Sequence, residues 1–122
     1  MAKKMIVDEE AVLLERIKTV KAEISELGQM RPGTLTEQYN VCGRQGCCCK
    51  DKENPRKHGP YYQLSYTRKG RGTSEFVREE DVEEVRRQLA DYKRFAVLKD
   101  DWVGASIALA KLRRERRRTD GM

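Results

Sequence analysis

Every cysteine of the chain and its single histidine fall within 17 positions. The run Cys42-Gly43-Arg44-Gln45-Gly46-Cys47-Cys48-Cys49 holds four thiols in eight residues, and His58 follows nine residues after the last of them. Thiolates completed by an imidazole are the donor set of a structural zinc site, which takes four such ligands in a tetrahedron. A site of this kind ties the segment entering Cys42 to the segment leaving His58 and turns what lies between into a closed loop. Gly43 and Gly46 stand where the chain would wrap tightly round an ion, because glycine allows positive φ and lets backbone amides approach thiolates. In an extended segment immediate neighbours point apart and residues two apart point together. Cys42, Cys47, Cys49 and His58 are therefore the expected ligands of a structural Zn2+, with Cys48 the spare thiol.

Other readings of the cluster stay open. The two CxxC knuckles of a zinc ribbon are absent, and no standard finger spacing fits. An iron–sulfur cluster would need Cys48 and Cys49 together at awkward geometry. Arg44, Lys50 and Lys52 could lower thiol pKa values by their charge and make a redox switch, or the thiols could bind nothing. Disulfides are disfavoured, because adjacent cysteines bridge one another poorly.

With 122 residues, 38% of them charged and 38% hydrophobic, the chain can bury only a modest core, which a metal staple would reinforce. There is no apolar stretch of signal-peptide length and nothing approaching a membrane span, so a cytoplasmic protein with no membrane partner is expected. Thiols clustered in a reducing compartment are metal ligands or redox groups more often than disulfides. The formal charge of +6 is unevenly placed: residues 1–30 carry −1, residues 31–78 carry +6 and residues 79–122 carry +1. A second basic concentration, Lys111 to Arg118, is offset by the acidic stretch Glu79 to Glu84. Two basic patches in an otherwise balanced chain suit a polyanion partner.

Hydrophobic spacing divides the chain into an N-terminal helix over 1–30, a metal-knuckle and β-hairpin module over 31–78, and a long C-terminal helix with a basic tail over 79–122. From Asp8, the residues Leu13, Ile17, Val20, Ile24 and Leu27 recur at alternating steps of four and three, the seam of a helix that packs on another. Asp8, Glu9 and Glu10 suit the positive end of that helix, and Gly28 its stop. Thr34 to Val41 reads as a short strand, and Asp51 to Gly59 as a loop. Tyr61–Thr67 and Thr73–Val77 read as a hairpin with the tip Arg68-Lys69-Gly70-Arg71-Gly72. Period two sets Tyr62, Leu64 and Tyr66 on one face, read as core together with Phe76, and Tyr61, Gln63, Ser65 and Thr67 on the other. From Val82 a helical seam runs through Val85, Leu89, Tyr92, Phe95, Leu98, Trp102, Ala105, Leu109 and Leu112, which favours one long helix, bent at most near Lys99 to Gly104. The expected fold is α+β: an N-terminal helix, a three-stranded antiparallel sheet with a Cys/His metal knuckle, and a long C-terminal helix packing antiparallel on the first. A seam longer than the first helix can cover leaves room for a homodimer or a partner helix.

The succession Arg31-Pro32-Gly33-Thr34-Leu35, Cys42-Gly43, Gly46-Cys47, Cys49 and His58-Gly59-Pro60-Tyr61-Tyr62, followed by a Tyr-rich hairpin and a helix, resembles a family of short uncharacterised bacterial and archaeal proteins. These are often encoded beside or within transposable elements. The resemblance implies a mobile-element accessory of this architecture and no particular mechanism. In that family the residue between the last two cysteines is usually not cysteine, which sets Cys48 outside the pattern. The hairpin followed by a helix also looks like the small sheet modules of tyrosine recombinases that lie in the major groove, a likeness of fold alone.

No catalytic residues are expected. The only imidazole is claimed by the metal, no phosphate loop or nucleophile elbow is present, and the acidic clusters sit at helix starts. DNA is the expected partner. The candidate contacts are Arg44, Arg56, Lys57, Tyr61, Gln63, Arg68, Lys69 and Arg71 in the middle module, with Arg113, Arg114 and Arg117 in the tail, residue types that read phosphates and base edges. The competing expectation is an adaptor that docks through its helical seam on a transposase or regulator without touching DNA.

Overall fold

The computed structural model describes the backbone of residues 2–121, and the side chains from Asp8 onward. In chain order the elements are helix α1 (Ala2–Ser25), strands β1 (Thr34–Asn40), β2 (His58–Arg68) and β3 (Arg71–Val77), and helix α2 (Val82–Asp120). Short 3-10 turns at Cys48–Lys50 and Glu79–Asp81 precede β2 and α2. The strands form one antiparallel sheet in the order β1-β2-β3. This is the α+β arrangement of helix, three-stranded sheet and long helix. Among the described residues no helix is long and apolar enough to cross a membrane.

Contacts divide the chain into two compact units, one comprising residues 29–92 and the other the residues up to Gly28 with those from Lys93 on. In the first unit, Leu64, Val77, Val82 and Val85 form the core, with Leu35, Tyr62, Tyr66 and Leu89 packed against it. One face of the sheet and the opening turns of α2 make this core, because Tyr62, Leu64 and Tyr66 alternate onto the same side of β2. Arg31 braces it by donating from Nη2 to Glu75 Oε2 at 2.7 Å, while the Tyr66 hydroxyl donates to Glu75 Oε1 at 3.1 Å. These two bonds hold the Glu75 carboxyl below its ordinary pKa, the Arg31 bond first.

The β2–β3 turn fixes which residues reach the core. Lys69 and Gly70 both adopt positive φ, 53° and 76°, the requirement of the two-residue turn that matches strand twist. That turn pairs Arg68 with Arg71, and counting back from it pairs Gln63 with Phe76. The five-residue tip expected from sequence leaves the register undetermined, and the expectation that Phe76 joins the core is not met. In the structure it is 73% exposed and points away from the core, with Val77 and Glu75 taking the inward positions. A register error of one residue exchanges the faces of a strand.

In the other unit, α1 runs antiparallel to α2, with Arg16 bonded to Asp101 at 2.8 Å and Arg94 to Glu23 at 3.1 Å. Val20, Leu98, Ala105 and Leu109 are buried along the seam, and Lys21 lies 5.4 Å from the centroid of the Trp102 ring. Helix α2 continues unbroken through Lys99 to Gly104. Helix α1 begins at Ala2 rather than at Asp8, so Asp8, Glu9 and Glu10 do not open it. Glu10 instead sits under two arginines, accepting from Arg113 Nε at 2.8 Å and Arg116 Nη1 at 2.6 Å. The hydrogen bond from Arg113, then the nearby charges of Arg116 and Arg113, hold its carboxyl below the ordinary value, against the opposing effect of burial.

Because the Glu10 carboxyl has a lower pKa folded than unfolded, its stabilisation is in place above the unfolded carboxylate value of about 4 and is lost as pH falls through the folded one. The melting temperature of Glu10→Gln should lie below that of the parent at neutral pH, with the gap closing in acid. Gly59 has φ +144°, and a Cβ there would lie 2.8 Å from the Gln38 carbonyl oxygen. Gly59→Ala should therefore cost about 2 kcal/mol or more in urea unfolding.

Candidate metal centre and the sheet face beside it

The β1–β2 pairing brings both ends of the cysteine loop to one end of the sheet. A register shift between Gln38 and Asn40 sets Asn40 opposite His58, so Cys42 and His58 emerge side by side. Strand β2 therefore begins at His58, three residues earlier than the apolar pattern indicated, because pairing with β1 outweighs the turn-forming character of Gly59-Pro60. The intervening chain folds back through the turn at Cys48–Lys50. The Arg56 amide donates to the Cys48 carbonyl at 2.9 Å, and the Lys50 amide to the Cys47 carbonyl at 3.0 Å. Asp51 accepts from the Glu53 amide at 3.1 Å, a local bond that suits a loop.

This folding gathers Cys42, Cys47, Cys49 and His58, whose donor atoms all lie within 4.8 Å of one another. Cys42 Sγ and Cys49 Sγ are 3.6 Å apart, and Cys47 Sγ is 3.0 Å from His58 Nε2. Metal–sulfur bonds of about 2.3 Å would give a tetrahedron with edges of roughly 3.8 Å, so the four donors are close enough to bind a metal ion. Four protein donors would fill all four positions of such a tetrahedron. Cys49 is buried, and the Cys42 amide donates to its sulfur at 3.4 Å. Cys48 is exposed and turned toward the Arg56 carbonyl oxygen, 3.8 Å from its sulfur. The geometry that excludes it is the 3-10 turn and not the extended segment assumed from sequence: Cys47 is extended, with φ −71° and ψ 147°, and the turn begins immediately after it.

The thiols differ electrostatically. A hydrogen bond from the Cys49 backbone amide, followed by bonds with the Cys42 and Cys49 thiols and with His58, lowers the Cys47 thiol to about 6, while burial pushes the Cys49 thiol up. Gathering four donors thus leaves Cys49 costly to ionise until a cation supplies the compensating charge.

The sheet face opposite the core is open. Thr34, Thr36 and Gln38 of β1, Tyr61, Ser65 and Thr67 of β2, and Ser74 and Phe76 of β3 are all exposed there, with Gln63 half-buried among them. Of the expected contact residues, Tyr61 and Gln63 lie on this face, and Arg68, Lys69 and Arg71 stand at its hairpin end. Arg44 lines a cleft with Asn40, Cys42, Cys47, His58 and Tyr61. Arg56 and Lys57 are exposed immediately before β2. Arg114 and Arg117 are exposed on α2, whereas Arg113 is engaged with Glu10 inside the chain. Phe76 is the residue of this face that sequence reasoning missed. The parity of a two-residue Lys69-Gly70 turn is the signal that locates it.

Fold and site together define a small α+β protein in which a Cys3His cluster fastens one end of a three-stranded antiparallel sheet. The chain belongs to the family described as Domain of unknown function (DUF6788), which matches residues 10–87. That span contains all four donors and the whole sheet, whereas the arginine-rich end of α2 lies beyond it. No curated protein and no solved structure matches the chain.

A metal at this centre makes the four donors unequal to Cys48 in a measurable way. Chain purified without added metal should carry about one equivalent, since structural sites bind tightly at neutral pH. Cys47→Ser, Cys49→Ser or His58→Ala should each lower that content sharply. Cys48→Ser should leave it unchanged in elemental analysis.

Proposed function

We propose that this chain is a small nucleic-acid-binding protein, stapled by a structural zinc ion and acting on DNA as an accessory of a mobile genetic element. The observation that carries the reading is the open sheet face, where hydroxyl, amide and aromatic side chains lie between basic groups at both ends. Arg68, Lys69 and Arg71 stand at the hairpin end, and Arg44, Arg56 and Lys57 belong to the metal loop or its exit. Residues 31–78 hold an excess charge of +6 and lie inside the longer shared family span, residues 10–87. Zinc suits the closed Cys3His set, because three thiolates and an imidazole with no open position are a structural rather than a catalytic arrangement. The protein has no catalytic role in this reading. The mobile-element setting rests on the sequence signature from Arg31 to Tyr62.

A protein-docking role draws support from a different surface. Val12, Leu13, Ala108 and Leu112 line an apolar cleft along the paired helices, and Val12 is 68% exposed. Val103 and Ile107 are also exposed on α2. A transposase, a regulator or a second copy of the chain would each find an apolar seam there.

Salt separates the two. If about six phosphates are neutralised, duplex affinity should fall roughly 10³-fold or more between 50 and 200 mM salt. Arg68→Ala and Arg71→Ala should each reduce the slope of log affinity against log salt by about one. A gel shift showing no complex at low salt would remove DNA from the proposal and leave the docking role.

A further inference from the structure

We propose that the metal end of the open sheet face is a stacking site for unpaired bases of single-stranded nucleic acid, built on Tyr61 and Phe76. This rests on the nucleic-acid reading above and names the form of ligand that one part of the face takes. A phenylalanine left in water forgoes the stabilisation of burial, and Phe76 is 73% exposed on a face that Tyr61 shares with Thr, Ser and Gln. Its ring stands 6.0 Å from that of Tyr61, tilted by 53°. The pair lies diagonally across β2 and β3, and among the described residues neither ring belongs to the core cluster or to those packed against it. Two adjoining aromatic rings on an open sheet form a surface on which bases stack, a contact that tolerates any sequence because every base has a π face.

The surroundings supply the other groups such a ligand needs. Gln38 pairs with Tyr61 and Gln63 with Phe76 across the sheet, and Gln38 Nε2 donates to Gln63 Oε1 at 3.3 Å, so two amides able to bond a base edge neighbour the rings. Arg44 shares a cleft with Tyr61, and Arg78, two residues beyond Phe76, has an 80% exposed side chain. These guanidinium groups suit the backbone phosphates of a strand laid across the sheet. In a duplex the base faces are covered by their neighbours, so the two rings find nothing to stack on. An unpaired strand presents those faces directly. The basic hairpin end, which has no aromatic residue, makes no such distinction.

Fluorescence anisotropy of the full, metal-loaded chain with labelled oligo-dT and with a mixed-sequence duplex of the same length tests the assignment. Phe76→Ala and Tyr61→Ala should each weaken oligo-dT binding by roughly 5- to 150-fold, the range of a lost base–aromatic stack, while duplex affinity changes by less than about twofold. Phe76→Leu keeps an apolar side chain and should lose single-strand affinity almost as fully, whereas Phe76→Trp should retain it. Arg68→Ala with Arg71→Ala should weaken both ligands. Single-strand affinity unchanged in Phe76→Ala, or retained in Phe76→Leu, would overturn the stacking site and leave nucleic-acid binding standing. Equal losses on both ligands would overturn it as well. No binding of either ligand by the parent chain at low salt would overturn both proposals.

Discussion

The pairing of Asn40 with His58 is the constraint on which the middle of the chain depends. It brings two strand ends that lie 18 residues apart in sequence into hydrogen-bonding register, and this sets Cys42 beside the histidine. The loop between them then has to return its remaining thiols to the same point. The turn at Cys48–Lys50 does so, with Cys47 before it and Cys49 buried within it. A bound ion would close this loop covalently in effect, contributing most where the polypeptide alone contributes least. The loop side chains from Gly43 to Lys57, apart from Cys47 and Cys49, are exposed. Such a segment has no apolar burial of its own to offset the entropy of ordering it.

The sheet is consequently a two-sided object with different duties on each side. Its inner face is held by Leu64 and Val77 against Val82 and Val85, while the Arg31–Glu75–Tyr66 network satisfies the polar groups at the margin. The outer face has no packing to do and keeps its polar and aromatic residues in water. The same two-residue turn that sends Val77 inward sends Phe76 outward, so the core and the open face are consequences of one register.

Much of this organisation can be read from sequence because it is periodic or compositional. The spacing of Leu13, Ile17, Val20, Ile24 and Leu27 marks a helix seam, and each of the five is at least half-buried in the structure. The donors are legible from residue type alone, since the chain holds its cysteines and histidine nowhere else. The remaining features depend on pairing between distant segments. Phe76 requires the turn parity, the start of β2 requires its partner strand, and the place of Cys48 requires the turn that the folded loop imposes. Glu10 reads locally as a helix-start carboxylate, yet it is fixed by arginines more than 100 positions away. Local patterning identifies elements and donors, whereas register and non-local charge pairing decide what faces what.

Non-local pairing also separates the two basic concentrations of the sequence. The arginines from Arg113 to Arg118 form the densest basic run in the sequence and look at first like the strongest nucleic-acid signal. Two of the five, Arg113 and Arg116, are spent on Glu10, and the run lies outside the span shared with the family. In the middle module the balance is different. Arg31 is paired with Glu75, but residues 31–78 carry ten basic side chains against four acidic ones, so internal pairing can neutralise only a minority of them. The cationic excess of residues 31–78 is therefore independent of the helical tail.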